Sequence, residues 1–265
     1  MTFPPDTHLH TPLCNHAVGE PIEYARCARS KGLTEMCFTD HVPAPDGYDA
    51  ESRMRLEQFP EYRDMVEEAS REKGIFAGFG IEADYYPGCQ SFLDPWLDRQ
   101  GFDVVLGSVH VIGDWGFDNP IYMKRWRESD LVAVWSRYFQ LLADLADTRL
   151  YDVVGHLDLP KKFGYRIPDP VLKELAQPAL DKIADANMAI ELNTAGLRKP
   201  SREIYPSRLL LELAHDRDIP VAFGSDAHTP DEVGADFDQA VALARAVGYT
   251  RAARYRQRHR TLLPL

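Results

Sequence analysis

The stretch Val221-Ala222-Phe223-Gly224-Ser225-Asp226-Ala227-His228 sets the pattern for the chain. A short apolar run ends abruptly in a carboxylate and an imidazole. A run of this length, bounded by polar residues, reads as a strand buried on both faces. The same shape recurs upstream, predicting strands at residues 7–10, 35–39, 76–82, 104–110, 152–156, 189–193 and 221–225. Between and after them lie amphipathic stretches at 20–31, 59–73, 91–99, 129–147, 170–187, 206–217 and 236–247. In the fourth of these, Leu131, Val134, Trp135, Tyr138, Leu141, Leu142 and Leu145 keep the spacing of a helix face packed inward. Strand-then-helix units in this number predict an α/β protein, a closed or nearly closed barrel around a parallel sheet.

No linker or composition shift divides the 265 residues, so 1–265 reads as one domain. Hydrophobic residues at 45 % and charged residues at 27 % are ordinary for a globular protein and exclude disordered and fibrous classes. The net charge of −11 opposes binding to nucleic acid backbones and anionic membranes. Residues 1–6 carry neither a basic nor an apolar leader segment, and no apolar run reaches the length of a membrane span. Cys14, Cys27, Cys37 and Cys89 form no CxxC pair. Reduced thiols in a cytoplasmic protein are therefore expected, with Cys14 set apart by its neighbouring histidines. The basic segment 251–260 (RAARYRQRHR) reads as a solvated helix end or a frayed tail.

The histidines are not scattered. His8, His10, His41, His110 and His156 fall at or just past the end of an expected strand. His16 lies in the loop after the first strand and His228 just after the last, while His215 and His259 fall elsewhere. Glu82 and Asp226 also sit at strand ends. Loops and residues at the C-terminal ends of barrel strands form one rim. In His8-Leu9-His10 the alternation of a strand puts both imidazoles on one face. Buried carboxylates and imidazoles crowded together would be costly without a cation, so the constellation predicts metal binding. His8, His10, His16, His41, Glu82, His110, His156, Asp226 and His228 exceed the roughly four ligands that one ion needs. Two or three ions with open positions suit them, a design that serves phosphoryl chemistry. Asp40 and Asp158 are expected behind the imidazoles, orienting them.

These residues resemble the polymerase and histidinol phosphatase (PHP) family. His8-x-His10, then His16, Thr39-Asp40-His41, strand-end Glu82, Ser108-x-His110, Gly155-His156-x-Asp158 and Gly224-Ser225-Asp226-Ala227-His228 follow its motif order. Within it the chain is similar to the histidinol-phosphate phosphatase branch, on Gly155-His156-Leu157-Asp158-Leu159-Pro160-Lys161-Lys162-Phe163-Gly164 and on Glu191-Leu192-Asn193-Thr194-Ala195-Gly196-Leu197-Arg198-Lys199. The resemblance implies a distorted (β/α)7 barrel with its metal site at the C-terminal ends of the strands. It also implies three divalent or trivalent ions, zinc foremost, with iron and manganese as alternatives. One ion would be held by His8, His10, Glu82 and Asp226. A second would share Glu82 and take His110 and His156, and a third would take His16, His41 and His228. The implied reaction is hydrolysis of L-histidinol phosphate, a small-molecule phosphate ester, by hydroxide attacking in line, with Glu82 at the reacting centre and Asp226 or His228 near the leaving oxygen. Arg198 and either Lys161 or Lys162 would hold phosphate. Glu191 or Asp46 would receive the substrate ammonium, and an aromatic from 111–128 would stack on its imidazole.

The alternatives are a PHP-type phosphoesterase for another small ester or nucleotide, a metal-dependent amidohydrolase, and a non-catalytic metal-binding protein. The second is disfavoured because no expected strand end carries the lysine such sites often carbamylate. Oligomeric state is unreadable, since no helix shows an unusually apolar second face.

Overall fold

The computed structural model describes residues 3–265. Met1 and Thr2, which contribute to the reading of the N-terminus, lie outside the described residues. In chain order the elements are α1 (Pro21–Ser30), β1 (Glu35–Phe38), α2 (Phe59–Ala69), β2 (Phe76–Phe79), β3 (Ile81–Asp84), α3 (Gln90–Leu97), β4 (Val105–Ser108), β5 (Val111–Ile112), β6 (Trp115–Gly116), α4 (Met123–Glu128), α5 (Leu131–Thr148), β7 (Val153–Val154), α6 (Asp169–Asp185), β8 (Ala189–Asn193), α7 (Arg208–His215), β9 (Val221–Gly224), α8 (Phe237–Val247), β10 (Arg251–Arg256) and β11 (His259–Pro264). Among the described residues no helix is long and apolar enough to cross a membrane.

The main sheet runs β3-β4-β7-β8-β9, all parallel, and β1 pairs parallel with β2. The expected strand at 7–10 is an extended segment with isolated bridges instead. Asp6 bridges both Met36 of β1 and Phe223 of β9, and Leu9 bridges Ala227. The Asp6 carboxylate fastens it by accepting from Ser225 N (2.9 Å) and Gly234 N (2.8 Å). The expected strand 76–82 is broken at Gly80. A Cβ there would lie 2.7 Å from Thr39 Cγ2 and 2.8 Å from the Val104 carbonyl, so only glycine lets these backbones approach. Side chains of β1, β4, β7, β8 and β9 (Cys37, Leu106, Val153, Ala189, Ala222) gather in one apolar cluster.

The basic C-terminal segment is neither a helix end nor a frayed tail. It forms the antiparallel hairpin β10–β11. Ala253 and Tyr255 enter the apolar cluster above, a period-2 burial masked in the sequence by the basic residues around them. The basic side chains meet acids at the N-terminal ends of strands: Arg256 and Arg254 pair with Glu35, and Arg258 with Asp152 (3.0 Å). The segment 111–128, between the expected strand 104–110 and helix 129–147, holds the β5–β6 hairpin and α4. Trp115, Phe117 and Trp126 are buried in it.

Candidate metal centre

Because the strands are parallel, the residues that follow them emerge on one side. Glu82 and Asp84 lie on β3, and His110 and His156 follow β4 and β7. Asp226 and His228 follow β9. Asp226 (φ 53°) and His156 (φ 22°) are in the left-handed region, a conformation that costs of order 1–3 kcal/mol in a non-glycine residue and concentrates at functional sites.

Glu82 is the hub. Its carboxylate is 1 % exposed. Oε2 lies 3.0 Å from His41 Nδ1, 3.3 Å from His8 Nε2 and 3.7 Å from His10 Nε2. Oε1 lies 3.1 Å from His156 Nε2 and 3.6 Å from His110 Nε2. Asp226 Oδ1 is 3.4 Å from His10 Nε2 and 3.9 Å from His8 Nε2. His16 and His228 stack with centroids 4.6 Å apart, and His228 stacks on His10 at 4.2 Å. All nine expected ligands therefore converge.

The electrostatics fit cations. Burial raises the Glu82 carboxyl, but His8, His41 and His110 hold it well below the usual carboxylate range. Burial lowers His110, but Asp84 and Glu82 push it up to about 10. Burial, reinforced by neighbouring imidazoles, drives His41 and His228 well below the usual histidine range. His110 Nε2 and His156 Nε2 face each other at 3.2 Å. Two lone pairs cannot meet so closely without a proton or a cation between or beside them. Buried ring nitrogens without hydrogen-bond partners include His8 Nε2, His41 Nδ1 and His228 Nε2. Such orphaned donor atoms around carboxylates suit borderline cations. Two of the donor groups close enough for one ion are His8, His10 and Glu82, and Glu82, His110 and His156.

A supporting layer holds the imidazoles. Asp84 accepts from His110 Nδ1 (2.8 Å) and pairs with buried Arg53 (2.7 Å). Neither residue was singled out in the sequence, although Asp84 follows Glu82 by two and so shares its strand face. Asp40 stands behind His10 Nδ1 at 3.5 Å, in the orienting position expected of it. Asp158 does not orient an imidazole; it accepts from Ser207 N (2.8 Å) and pairs with Lys161 (2.9 Å).

The proposed substrate residues separate into two groups. Glu191 is fully buried beneath the centre and corrects the expectation that it receives the substrate. Its Oε1 meets His8 Nδ1 at 2.7 Å, and Oε2 accepts from His156 N (2.8 Å) and Asn193 Nδ2 (3.0 Å). Lys161 is a second correction. It is 1 % exposed and committed to Asp158, Glu203 and the Ile204 carbonyl. Asp46 is exposed and accepts from Tyr86. Lys162, by contrast, lines the cavity of about 950 Å³ into which His41, His110 and His228 open. It pairs there with Asp118 (3.1 Å), and Lys199 and Tyr122 are further wall residues. Arg198 stands outside that lining, against Ser225 and Glu232. Its Nη2 donates to the Ser225 carbonyl (2.6 Å) and Nε to Glu232 (3.1 Å), while Nη1 is buried without a partner.

Comparisons with known proteins agree on this architecture. The PHP domain matches residues 6–195, and the PHP-associated region matches 207–235. The chain is 48 % identical over 253 residues to a probable histidinol-phosphatase of Deinococcus radiodurans, covering 94 % of this chain and 95 % of that one. It is 28 % identical to the histidinol-phosphatase of Bacillus subtilis, over 88 % of this chain and 96 % of that one. Its fold superposes with a TM-score of 0.83 on histidinol phosphate phosphatase from Lactococcus lactis, crystallised with zinc, L-histidinol and phosphate. That match covers 98 % of this chain and 100 % of the other, at 21 % identity. With one family description spanning residues 6–195 and a close relative matched almost end to end, the chain belongs to the PHP family.

Proposed function

We propose that the protein is a histidinol-phosphatase, hydrolysing L-histidinol phosphate to L-histidinol and inorganic phosphate at a metal centre of three ions. The observation that carries the reading is Glu82, a buried carboxylate ringed by His8, His10, His41, His110 and His156, several with orphaned nitrogens. The near full-length similarity to a probable histidinol-phosphatase supports the substrate. We read the sheet as a distorted seven-stranded barrel in one domain, closed through the Asp6 bridges, with the centre on its C-terminal rim. The four free cysteines accord with a reducing, cytoplasmic compartment.

His8, His10, Glu82 and Asp226 would hold one ion; Glu82, His110 and His156 a second; His16, His41 and His228 a third. The imidazole and carboxylate donors suit zinc foremost. When bound, such ions neutralise phosphoryl charge and supply a nucleophile near neutral pH. Glu82 places its two oxygens toward different groups of imidazoles and so holds the reacting centre together. Lys162 and the unpartnered Nη1 of Arg198 would take phosphate oxygens, the guanidinium held in place by Ser225 and Glu232. Asp226 and His228, with side chains 18 % and 23 % exposed, line the cavity and would meet the leaving oxygen. Tyr122, in the cavity wall, is the aromatic of segment 111–128 available to the substrate imidazole.

Phosphate release from L-histidinol phosphate, by wild type and His156→Ala with metal content determined, tests the reading. Metal-dependent turnover should collapse in the variant. Equal activity in both would overturn the role of His156, and comparable turnover of 3′,5′-nucleoside bisphosphates by wild type would favour a broader phosphoesterase.

A further inference from the structure

We propose that Cys14 is a sulfur ligand at the third ion position, beside His16 and His228. This inference rests on the metal-centre reading above. Cys14 is fully enclosed. Its Sγ and ring nitrogens of His10 and His228 all lie within 4.8 Å of one another. Ligand atoms sharing one tetrahedral zinc, with Zn–S about 2.3 Å and Zn–N about 2.0–2.1 Å, stand about 3.5 Å apart, so little movement would bring the Cys14 and His228 donors onto one ion.

The neighbouring imidazoles are already set to accept a cation. His228 Nδ1 is turned to the Asp226 carbonyl (3.0 Å), and His16 Nδ1 to the Cys14 carbonyl (2.7 Å). Each carbonyl fixes the ring N–H on Nδ1 and leaves the Nε2 lone pair for a metal. His228 Nε2 is buried without a partner. The chain folds tightly to bring these groups together. Thr11 caps the single turn Pro12–Cys14, and Asn15 (φ 67°) then reverses it so that His16 returns toward His10. His10 itself serves the first position through Nε2, which faces Asp226 and Glu82. On metal binding the thiol releases its proton to solvent and the thiolate forms the metal–sulfur bond. A thiolate among imidazoles selects zinc over the harder manganese.

X-ray absorption at the zinc edge of the zinc-saturated protein tests this directly. The expected spectrum includes one sulfur per chain at about 2.3 Å. Cobalt-substituted wild type should show a thiolate-to-cobalt charge-transfer band. The band should be absent from Cys14→Ser and retained in Cys27→Ser. Zinc bound with nitrogen and oxygen neighbours only, or a band that survives in Cys14→Ser, overturns the inference and leaves the metal-centre reading standing. Protein that binds no zinc overturns both. If Cys14→Ser fails to fold, the wild-type absorption spectrum still decides.

Discussion

Glu191→Gln separates two roles for one residue. The side chain keeps its volume but loses its charge. In the wild type both oxygens accept, Oε1 from His8 and Oε2 from His156 N and Asn193 Nδ2. A glutamine offers only one oxygen, so its NH2 must face either the His8 ring N–H or two other donors. Losing the charge at His8 lowers a bond of about 1.5–3 kcal/mol to the neutral range of about 0.5–1.5 kcal/mol. The mismatched donors cost about 1–3 kcal/mol more. Groups that orient metal-bound imidazoles alter metal affinity by about 10–100-fold. We therefore expect Glu191→Gln to lose metal about 10–100-fold more readily to a competing chelator, with activity recovering as metal is added back. Metal content after chelator challenge, followed by kcat and KM for histidinol phosphate at saturating metal, measures this. Unchanged metal retention with a raised KM alone would refute the reasoning and return Glu191 to the substrate.

Other expectations follow from the same geometry. Gly224→Ala would place a Cβ 1.9 Å from Glu191 Oε1 and 2.7 Å from His8 Cβ, so it should lower both Tm and metal content, as read by calorimetry and elemental analysis. Lys162→Ala should raise KM with little change in Tm, whereas Lys161→Ala strands buried Asp158 and should destabilise by about 3–5 kcal/mol, as measured by denaturant unfolding. In chelator-treated protein, His110 titrates near 10, above its ordinary 6.5, because Asp84 and Glu82 outweigh burial. Its stabilising contribution is thus complete below about 6.5 and lost as pH rises through about 10. Metal must displace that proton, so affinity should rise with pH across the same window. Calorimetry in buffers of different ionisation enthalpy should detect the released proton, and no release at pH 7 would contradict this.

Much of the centre could be read in the sequence because ligands at strand ends need only the direction of the sheet to bring them together. His8 and His10 share a face by period, and Glu82, His110, His156 and Asp226 each end an apolar run. Depth was harder to read. Glu191 lies within β8 and Lys161 follows β7, yet one supports His8 from below and the other is held by Asp158 and Glu203. Which way a side chain leaves a short irregular segment depends on partners distant in sequence. Asp84 was legible in principle, because it shares a strand face with Glu82. The C-terminal hairpin was masked by arginines whose acids, Glu35 and Asp152, lie more than a hundred residues away in the chain.

That hairpin divides labour within the molecule. Its arginines grip strand beginnings while the putting-together of ligands happens at strand endings, so the floor and the working rim share no side chains. Changes to Arg254, Arg256 or Arg258 should then shift heat tolerance and leave turnover of the surviving folded fraction alone. Sequence drift or engineering could retune robustness from beneath without disturbing the reaction above.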